Sequence, residues 1–242
     1  MITSKQNSTV KLIRSLSDKK FRDSLGLYIA EGVNTVNEAV KSGKPIDKIV
    51  ATEKGLSRID AKENEVFLVS EEVFDYITTE VTPQGVMAIM VKPNDIVKSP
   101  KKSCLFLDGV SDPANVGAII RTAAASGYTD VYLADSADCY SPKSVRASMS
   151  GVFKINAYQG TREELLSFID IPICVADMCG ESVYEISMPE KFCLCIGNEA
   201  RGVSEEVRKK AKITVSIPME NGVESLNAGV SAGILMYFLK HT

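Results

Sequence analysis

One segment of the sequence combines a turn with two side chains that could bind a ligand. Residues 112–127 read DPANVGAIIRTAAASG, and Pro113 and Gly117 shape a turn near their start. Asn115 offers an amide that both donates and accepts hydrogen bonds. Arg121 follows six residues later and could project from the first turns of a helix back towards the loop. The segment therefore has both a polar amide and a guanidinium for a polar ligand.

Two later segments also combine small residues with polar side chains that could bind a ligand. Residues 196–207 read IGNEARGVSEEV and have glycines on both sides of Glu199, directly after an apolar run. Residues 217–239 place Ser225 and Asn227 near the start of a helix that is rich in glycine and alanine. Each of the two segments follows a predicted strand, so each could carry side chains at a binding site.

Each segment also has an ordinary structural explanation. Asn115 and Ser225 are residue types that often cap helices. Arg121 could be solvated on a helix face, and Glu199 could pair with a nearby arginine. The small residues at 228–233 could serve only close helix packing. Turn chemistry explains any one segment well, but it explains three in succession less readily.

The elements around these segments predict an α/β domain with a mainly parallel sheet covered on both faces, because strands alternate with helices along the chain. Ligands of such sheets bind in loops beyond the carboxyl ends of the strands, where all three segments fall. The predicted strands are 103–107, 130–134, 173–176, 192–196 and 213–217, and the predicted helices are 116–125, 162–168, 204–210 and 226–239.

A smaller α/β module is predicted before this domain. The stretch VKPNDIVKSPKK has two prolines and little apolar periodicity, which indicates a linker. We therefore predict an N-terminal domain at 1–93, a linker at 94–102 and a larger domain at 103–242. In the module, Val10, Ile13, Leu16 and Phe21 predict one amphipathic helix, followed by strands at 27–30, 48–52, 66–69 and 85–91 and helices at 34–41 and 71–76.

Composition excludes several classes of protein. The 242 residues are 45% hydrophobic and 24% charged, as in ordinary globular proteins, and no apolar run approaches the length of a membrane span. The start lacks the apolar core of a signal peptide, so we expect a cytoplasmic protein with no membrane contact. Six cysteines and one histidine, His241, do not have the spacing of a metal site, and we expect no metal and no histidine-based catalysis.

The net charge of −3 gives no overall sign of nucleic-acid binding, but the first 25 residues carry a local excess of lysine and arginine. That excess could contact phosphates or could equally be a solvated helix face. The same alternatives apply to two basic residues after the second strand. The predicted phosphate contacts are Lys11, Arg14, Arg22, Lys143 and Arg146.

The three segments, in this order and spacing, resemble the three motifs of the SpoU (TrmH-like) family of RNA ribose 2′-O-methyltransferases, within the SPOUT superfamily. The start ITSKQNSTVKLIRSL with YIAEG is similar to that family's ribosomal-protein-like RNA-binding domain, and TPQGVMAI is similar to its last strand. SPKSVRASMSG is similar to the segment between the first two motifs. The resemblance implies a deep trefoil knot in the larger domain and a homodimer whose active sites use residues of both subunits.

The resemblance also implies roles for individual residues. It implies that S-adenosyl-L-methionine lies between the second and third motifs, on Gly197, Asn198, Ile217, Met219, Ser225 and Leu226, with Leu133 and Ala134 completing the slot. It places Arg121, Asn115, Glu199 and Asn227 around the acceptor nucleotide. Because a guanidinium stays protonated, we expect Arg121 to hold a phosphate and stabilise the developing alkoxide, with Glu199 orienting Arg121 or another arginine.

Three alternatives stay open at this point. The family resemblance makes ribosomal RNA the expected substrate, and tRNA is the alternative within the same reaction. A non-catalytic RNA-binding protein on the same scaffold is the second. The third is a small-molecule methyltransferase with an open Rossmann sheet, for which DGVSDPANVG is a poor match to the glycine-rich loop G-x-G-x-x-G.

Overall fold

Four strands form the first of two sheets in the computed structural model, which describes residues 1–61, 64–94 and 96–240. The sheet has the order β1-β4-β2-β3, with β4 antiparallel to both of its neighbours. Its strands are β1 (Leu27–Glu31), β2 (Ile46–Ala51), β3 (Val66–Leu68) and β4 (Val86–Val91), and its helices are α1 (Ser8–Ser15), α2 (Lys19–Leu25), α3 (Val33–Ser42), α4 (Glu53–Leu56) and α5 (Glu71–Ile77).

The second sheet has six parallel strands in the order β10-β8-β9-β5-β6-β7. This arrangement confirms the predicted parallel α/β domain. Its strands are β5 (Cys104–Asp108), β6 (Asp130–Ala134), β7 (Asn156–Gly160), β8 (Ile173–Ser182), β9 (Cys193–Gly197) and β10 (Ala211–Ser216), and its helices are α6 (Pro113–Ser126), α7 (Pro142–Ala147), α8 (Arg162–Leu166), α9 (Glu205–Lys210) and α10 (Ala228–Phe238). The order of the strands does not show whether the chain is knotted. The trefoil knot therefore stays a prediction.

The sheets share one hydrophobic core. The face of the first sheet that carries Tyr28 and Ala30 packs into the same cluster as Leu105 and Ile119 of the larger domain. The rings of Tyr28 and Tyr140 lie 4.8 Å apart across this boundary. The predicted linker lies outside both sheets, and its Asp95 falls outside the described residues. The two halves are therefore joined by apolar packing as well as by the linker.

The prediction for the first helix was wrong. The chain forms two helices, because α1 ends at Ser15 and Asp18 caps a new helix by accepting from the Lys20 amide. The helical periodicity restarts at that cap, so Phe21 is 44% exposed while Arg22 is 3% exposed.

Arg22 is consequently not a phosphate contact, which corrects the prediction made from local charge. Its guanidinium donates to Asp138 Oδ2 of the larger domain from Nη2 at 2.7 Å and from Nε at 2.9 Å. Its remaining nitrogen donates to the carbonyls of Leu16 and Ser17, each at 2.8 Å. Every donor group of Arg22 thus has a partner inside the protein, and the side chain ties the two domains together.

Strand β8 interrupts its pairing with β10 beside the predicted cofactor segments. Thr214 pairs with Val175, but the next residue, Val215, pairs with Glu181. The intervening part of β8 therefore leaves the regular ladder. Gly180 allows it to return, because a Cβ there would lie 2.5 Å from the Val215 carbonyl carbon. The excursion brings Asp177 to the wall of a cavity at this edge of the sheet.

Among the described residues, no helix is long and apolar enough to cross a membrane, and no group of histidine, cysteine, aspartate or glutamate could hold a metal ion. Five of the six cysteines are buried, and burial raises the pKa of the Cys174 thiol to about 12. These buried cysteines behave as small apolar side chains.

Candidate functional site

A cavity of about 730 Å³ lies at the carboxyl ends of β8, β9 and β10. Its size is in the range usual for small-molecule sites. Six residues predicted to hold the cofactor line it: Gly197, Asn198, Ile217, Met219, Ser225 and Leu226. The structure therefore brings together the second and third segments, which are separated in the sequence by α9 and β10.

Two residues predicted to complete this slot lie elsewhere. Leu133 and Ala134 are buried in β6, and β5 separates that strand from β9. The Ala134 carbonyl accepts from the Gly109 amide at 2.9 Å and so supports the loop after β5. Their prediction as cofactor contacts is therefore wrong, because the cavity opens on the other side of β5.

Sequence reasoning missed an ion pair on the cavity wall. Arg208 of α9 donates to the Asp177 carboxylate at 2.5 Å, and both residues line the cavity. A hydrogen bond from the Cys179 amide lowers the pKa of Asp177, and Arg208 lowers it further. No signal in the sequence pointed to Asp177, because it lies in the part of β8 that leaves the regular ladder.

Gly197 permits the close backbone contact that forms the floor of the cavity. A Cβ at this position would lie 2.3 Å from the Gly202 carbonyl carbon and 2.4 Å from the Val203 nitrogen. Backbone atoms cannot yield as a flexible side chain could, so the turn at 198–202 requires glycine here. Asn198 closes the same turn, because its Oδ1 accepts from the amides of Ala200 and Arg201 at 3.0 and 3.1 Å.

A chain of side-chain hydrogen bonds joins all three segments. Asn227 Nδ2 donates to Asn115 Oδ1 at 2.9 Å, and Asn115 Nδ2 donates to Glu199 Oε1 at 2.9 Å. Asn227 also caps α10, since its Oδ1 accepts from the Gly229 and Val230 amides. Asn227 therefore caps a helix, a role that the sequence suggested for Asn115 and Ser225, and also takes part in this hydrogen-bonded chain. The chain orients Asn115 at the start of α6 and fixes it beside the cavity.

Glu199 is held as a carboxylate by donors from the first segment. Its Oε2 accepts from the Ser111 amide at 3.2 Å and from the Ser111 hydroxyl at 3.0 Å. Partial burial raises the pKa of Glu199, but the hydrogen bonds from Asn115 and Ser111 outweigh it, and the pKa lies below its ordinary value. In the described part of the chain no arginine pairs with Glu199, so the predicted Glu199–arginine contact is wrong within one chain.

The lowered pKa of Glu199 predicts a local dependence on pH. Because the pKa is lower in the folded protein, these hydrogen bonds contribute fully above the ordinary value of 4.5 and are lost as the pH falls through the lower, folded value. We expect hydrogen exchange at the Ser111 amide, corrected for its intrinsic rate, to accelerate in that acidic range. In Glu199→Gln, which cannot titrate, this acid-induced acceleration should disappear; an unchanged pH profile would contradict the assignment.

A second ion pair that the sequence did not predict holds the same loops at the end of β5. The buried carboxylate of Asp108, at the end of β5, accepts from Arg162 of α8 and, at 2.7 Å, from the Ser204 amide before α9. Arg162 also pairs with Asp135 at 3.0 Å. The signal available in the sequence was a carboxylate that directly follows a predicted apolar strand.

Arg121 lies apart from this hydrogen-bonded chain. It is exposed on α6, and no hydrogen bond or ion pair is found for it within the described ranges. Its backbone is close to Gly151, where a Cβ would lie 3.0 Å from the Arg121 Cα. Its neighbour Thr122 faces α10, within 3.7 Å of a Cβ built on Gly233. Arg121 is therefore a free guanidinium on the surface beside the α6–α10 crossing.

The other predicted phosphate contacts are exposed, and three of them contact other side chains. Lys143 pairs with Asp112 at 2.7 Å, next to the first segment, and Lys143 lowers the pKa of that carboxyl. Arg146 pairs with Glu80 of the N-terminal domain at 2.5 Å. In the N-terminal domain, Arg14 lies 4.9 Å from the Tyr76 ring centre, and Lys11 is exposed. Four of the five predicted phosphate contacts thus remain on the surface.

Comparison with known proteins extends over the whole chain. The model of the SpoU rRNA Methylase family matches residues 102–237, and that of the MRM3-like substrate binding domain matches residues 7–88. The chain is 32% identical to the 23S rRNA (guanosine(2553)-2′-O)-methyltransferase RlmP of Bacillus subtilis, over 99% of this chain and 98% of that protein.

Solved structures are similar over the same extent. The AdoMet-bound rRNA methyltransferase from Sinorhizobium meliloti superposes with a TM-score of 0.87 at 29% identity, covering 99% of this chain and 97% of that one. The SpoU methyltransferase AviRb from Streptomyces viridochromogenes, in complex with AdoMet, gives a TM-score of 0.87 at 25% identity, covering 98% of both chains.

Proposed function

The chain belongs to the SpoU rRNA methylase family, and from this membership we propose how its residues bind S-adenosylmethionine and methylate ribosomal RNA. It is an S-adenosylmethionine-dependent RNA methyltransferase that acts on a ribose 2′-hydroxyl, with ribosomal RNA favoured over tRNA. The observation that carries the residue assignment is the chain from Asn227 through Asn115 to Glu199, which links the first segment to the second and third segments at the wall of the cavity.

The cavity fits the cofactor in shape and chemistry. Aliphatic and thioether side chains of Ile217, Met219 and Leu226 can flank an adenine, and the bare backbone at Gly197 allows close approach. Ser225 and the Asn198 turn supply polar groups at the same wall. When bound, S-adenosylmethionine supplies an electrophilic methyl group on a positively charged sulfonium. The chain's own task is to hold the acceptor oxygen in line and to stabilise the charge that develops on it.

We assign that second task to Arg121. A guanidinium keeps its proton at physiological pH, so it does not act as a general base. Its planar fork can bind a phosphate with two hydrogen bonds while its charge stabilises a developing alkoxide. Because Arg121 has no partner within the described residues, its donors are free for such a substrate. Asn115, Glu199 and Asn227 fix the loops that face the acceptor.

We propose further that two copies of the chain form the active site together. Arg121 lies on the surface beside α10 and, within the described residues, makes no hydrogen bond or ion pair with Glu199 of its own chain. The same region exposes Val230 by 51%, and Tyr237 and Phe238 by 49% and 41%. Exposed apolar groups on one helix are suited to burial against a second copy. A homodimer formed on this face would bring the Arg121 of one subunit near the cavity of the other.

A methyl-transfer assay tests the function directly. The full chain would be incubated with labelled S-adenosylmethionine and either ribosomal RNA or bulk tRNA, and the products mapped for ribose methylation. We expect label at one ribose of ribosomal RNA, where the methylated position resists alkaline cleavage. Label found only in tRNA would overturn the choice of substrate. Cofactor binding without transfer to either RNA would direct the search to a ribosomal particle.

Gly197→Ala tests the cofactor site. A Cβ would collide with backbone atoms of Gly202 and Val203, so the turn must move and the cavity floor with it. We expect S-adenosylmethionine affinity to fall at least about 100-fold, measured by calorimetry, which corresponds to about 2.7 kcal/mol. Gly43→Ala is the control for backbone strain away from the cavity, because Gly43 ends α3 in the left-handed conformation and nothing lies within 4 Å of its Cβ position. Equal affinities in the two variants would remove Gly197 from the site.

The remaining assignments concern the division into domains, the contacts with RNA and the location of the protein. We propose that residues 1–93 bind RNA, that 94–102 link the domains and that 103–242 catalyse transfer; the two family models, which end and begin at 88 and 102, support this division. We further propose that Lys11, Arg14, Lys143 and Arg146 contact RNA phosphates. Replacing Lys11 and Arg14 with alanine should flatten the dependence of RNA affinity on salt, since fewer counterions are released. A cytoplasmic location, which cell fractionation would test, stays a prediction.

A further inference from the structure

A second cavity lies at the opposite end of the larger sheet. Its volume is about 490 Å³, which is also within the range of small-molecule sites. It is lined by the residues that directly precede three parallel strands and by the end of α10, and so it lies at the amino ends of the strands. The lining residues that carry the argument are Lys102, Ser103, Tyr128, Lys191 and Lys240.

Tyr128 is a buried polar group of this lining with no partner. Its side chain is 2% exposed, and its hydroxyl makes no hydrogen bond within the described part of the chain. Burial raises the pKa of the phenol, and the nearby Cys174 and Cys104 raise it further, so the hydroxyl keeps its proton and remains a donor. Buried polar groups are nearly always paired in native proteins, and a ligand that reached Tyr128 from this cavity would supply the acceptor that its hydroxyl lacks.

The other polar groups of the cavity are also donors. Three lysines line it against one glutamate, Glu190. Lys240 donates to the Ser126 carbonyl, whereas no hydrogen bond or ion pair involves Lys102 or Lys191 over the described ranges. The Ser103 hydroxyl accepts from the Phe192 amide at 3.2 Å and keeps its own hydrogen for donation. An occupant must therefore supply acceptors and negative charge.

We infer that this cavity binds a small phosphorylated molecule. A phosphate group offers several acceptor oxygens and the charge that two free lysines, a phenol and a hydroxyl can match together. The location favours a small molecule over RNA. The contacts between the domains, through Asp138 and Tyr140, lie beyond the carboxyl end of β6, as does the first cavity beyond β9. RNA held by the N-terminal domain would therefore meet the other end of the sheet.

Thermal unfolding of the full chain tests this inference. The probes are inorganic phosphate, pyrophosphate and adenosine 5′-monophosphate, each added with saturating S-adenosylmethionine so that the first cavity does not contribute. We expect at least one probe to raise the Tm by preferential binding to the folded protein. The rise should vanish in the Lys102→Ala/Lys191→Ala variant and persist in Lys20→Ala/Lys54→Ala, which removes two exposed lysines of the N-terminal domain.

Tyr128→Phe separates a role in ligand binding from a purely structural role. Removing an unpaired buried hydroxyl should leave the ligand-free Tm unchanged or higher, while affinity for the active probe should fall about tenfold for one lost hydrogen bond. The inference is overturned if no probe raises the Tm, or if the rise survives both sets of substitutions in the cavity. Weaker RNA binding by the Lys102/Lys191 variant, with no probe bound, would overturn it in favour of an RNA contact.

Discussion

Arg121→Ala is expected to lower the rate of methyl transfer by about 10²–10³-fold, the usual effect of removing a group that stabilises developing negative charge. Affinity for S-adenosylmethionine and the free energy of unfolding should stay unchanged, because Arg121 is exposed and makes no hydrogen bond or ion pair in the described part of its own chain. Single-turnover transfer to ribosomal RNA, calorimetry with the cofactor and urea unfolding would measure the three quantities separately.

Two further variants make this result specific. Arg121→Lys keeps the charge but loses the planar fork, and we expect it to remain strongly impaired. Near-normal turnover of Arg121→Lys would count against binding of a phosphate by two hydrogen bonds. Arg58→Ala is the matched control, since Arg58 is likewise exposed but lies in the N-terminal domain. It should transfer methyl groups at the wild-type rate.

Mixing subunits distinguishes a shared site from one confined to a single chain. Arg121→Ala and Gly197→Ala are each expected to be strongly impaired alone when the cofactor is kept below the Kd of Gly197→Ala. If the active site combines residues of two copies, a mixed dimer contains one complete site, with an intact Arg121 facing an intact cavity. Mixing should then restore activity. A mixture that stays inactive while mixed dimers form would place both groups in one chain and contradict the proposed dimeric site.

Arg22→Met should be the most destabilising substitution of a charged residue that we propose. It leaves the Asp138 carboxylate buried without its ion partner, since the two side chains are 4% and 5% exposed. Breaking a buried pair from one side costs about 3–5 kcal/mol. Urea unfolding of the full chain would measure this loss. Lys41→Met is the control, because the Lys41–Glu38 pair is exposed and should contribute at most about 1 kcal/mol.

The double variant Arg22→Met/Asp138→Asn tests the cause of the loss. Asparagine keeps an oxygen that can accept from the Tyr140 amide, as Asp138 Oδ1 does at 2.9 Å, but it removes the buried charge. We expect part of the stability of Arg22→Met to return. If the double variant is less stable than the single variant, then uncompensated charge is not the reason for the loss.

Most elements of the larger domain could be predicted, because its central strands are continuous apolar runs. The predicted strand at 130–134 matches β6 residue for residue. Strand β7 and helix α7 were missed. The sequence of β7, NAYQG, lies at the edge of the sheet and buries only Tyr158 fully, so it has no apolar run to detect. The short α7 was indicated only as part of a motif, without its conformation.

The errors at the site have a common cause, because they depend on contacts between residues that are distant in the sequence. Local charge predicted Arg22 at the surface, and only the distant Asp138 explains its burial. The family resemblance implied that Leu133, at the end of the second predicted strand, contacts the cofactor, but β5 separates that strand from the cavity. Glu199 was correctly placed with the three segments, yet its partners are Asn115 and Ser111 rather than an arginine. Residue types and order indicated which segments lie together, and only the fold defined the pairs.

The core that runs between the two sheets has a consequence for domain exchange. Domains joined by a linker alone can be swapped between relatives to alter which RNA is bound. Here a chimaera with a foreign N-terminal half would also replace the partners of Asp138, Tyr140 and Arg146. A donor half lacking an arginine at the position of Arg22 would place an unpaired charge inside the hybrid protein. Specificity can therefore be transplanted only together with the matching face of the catalytic half.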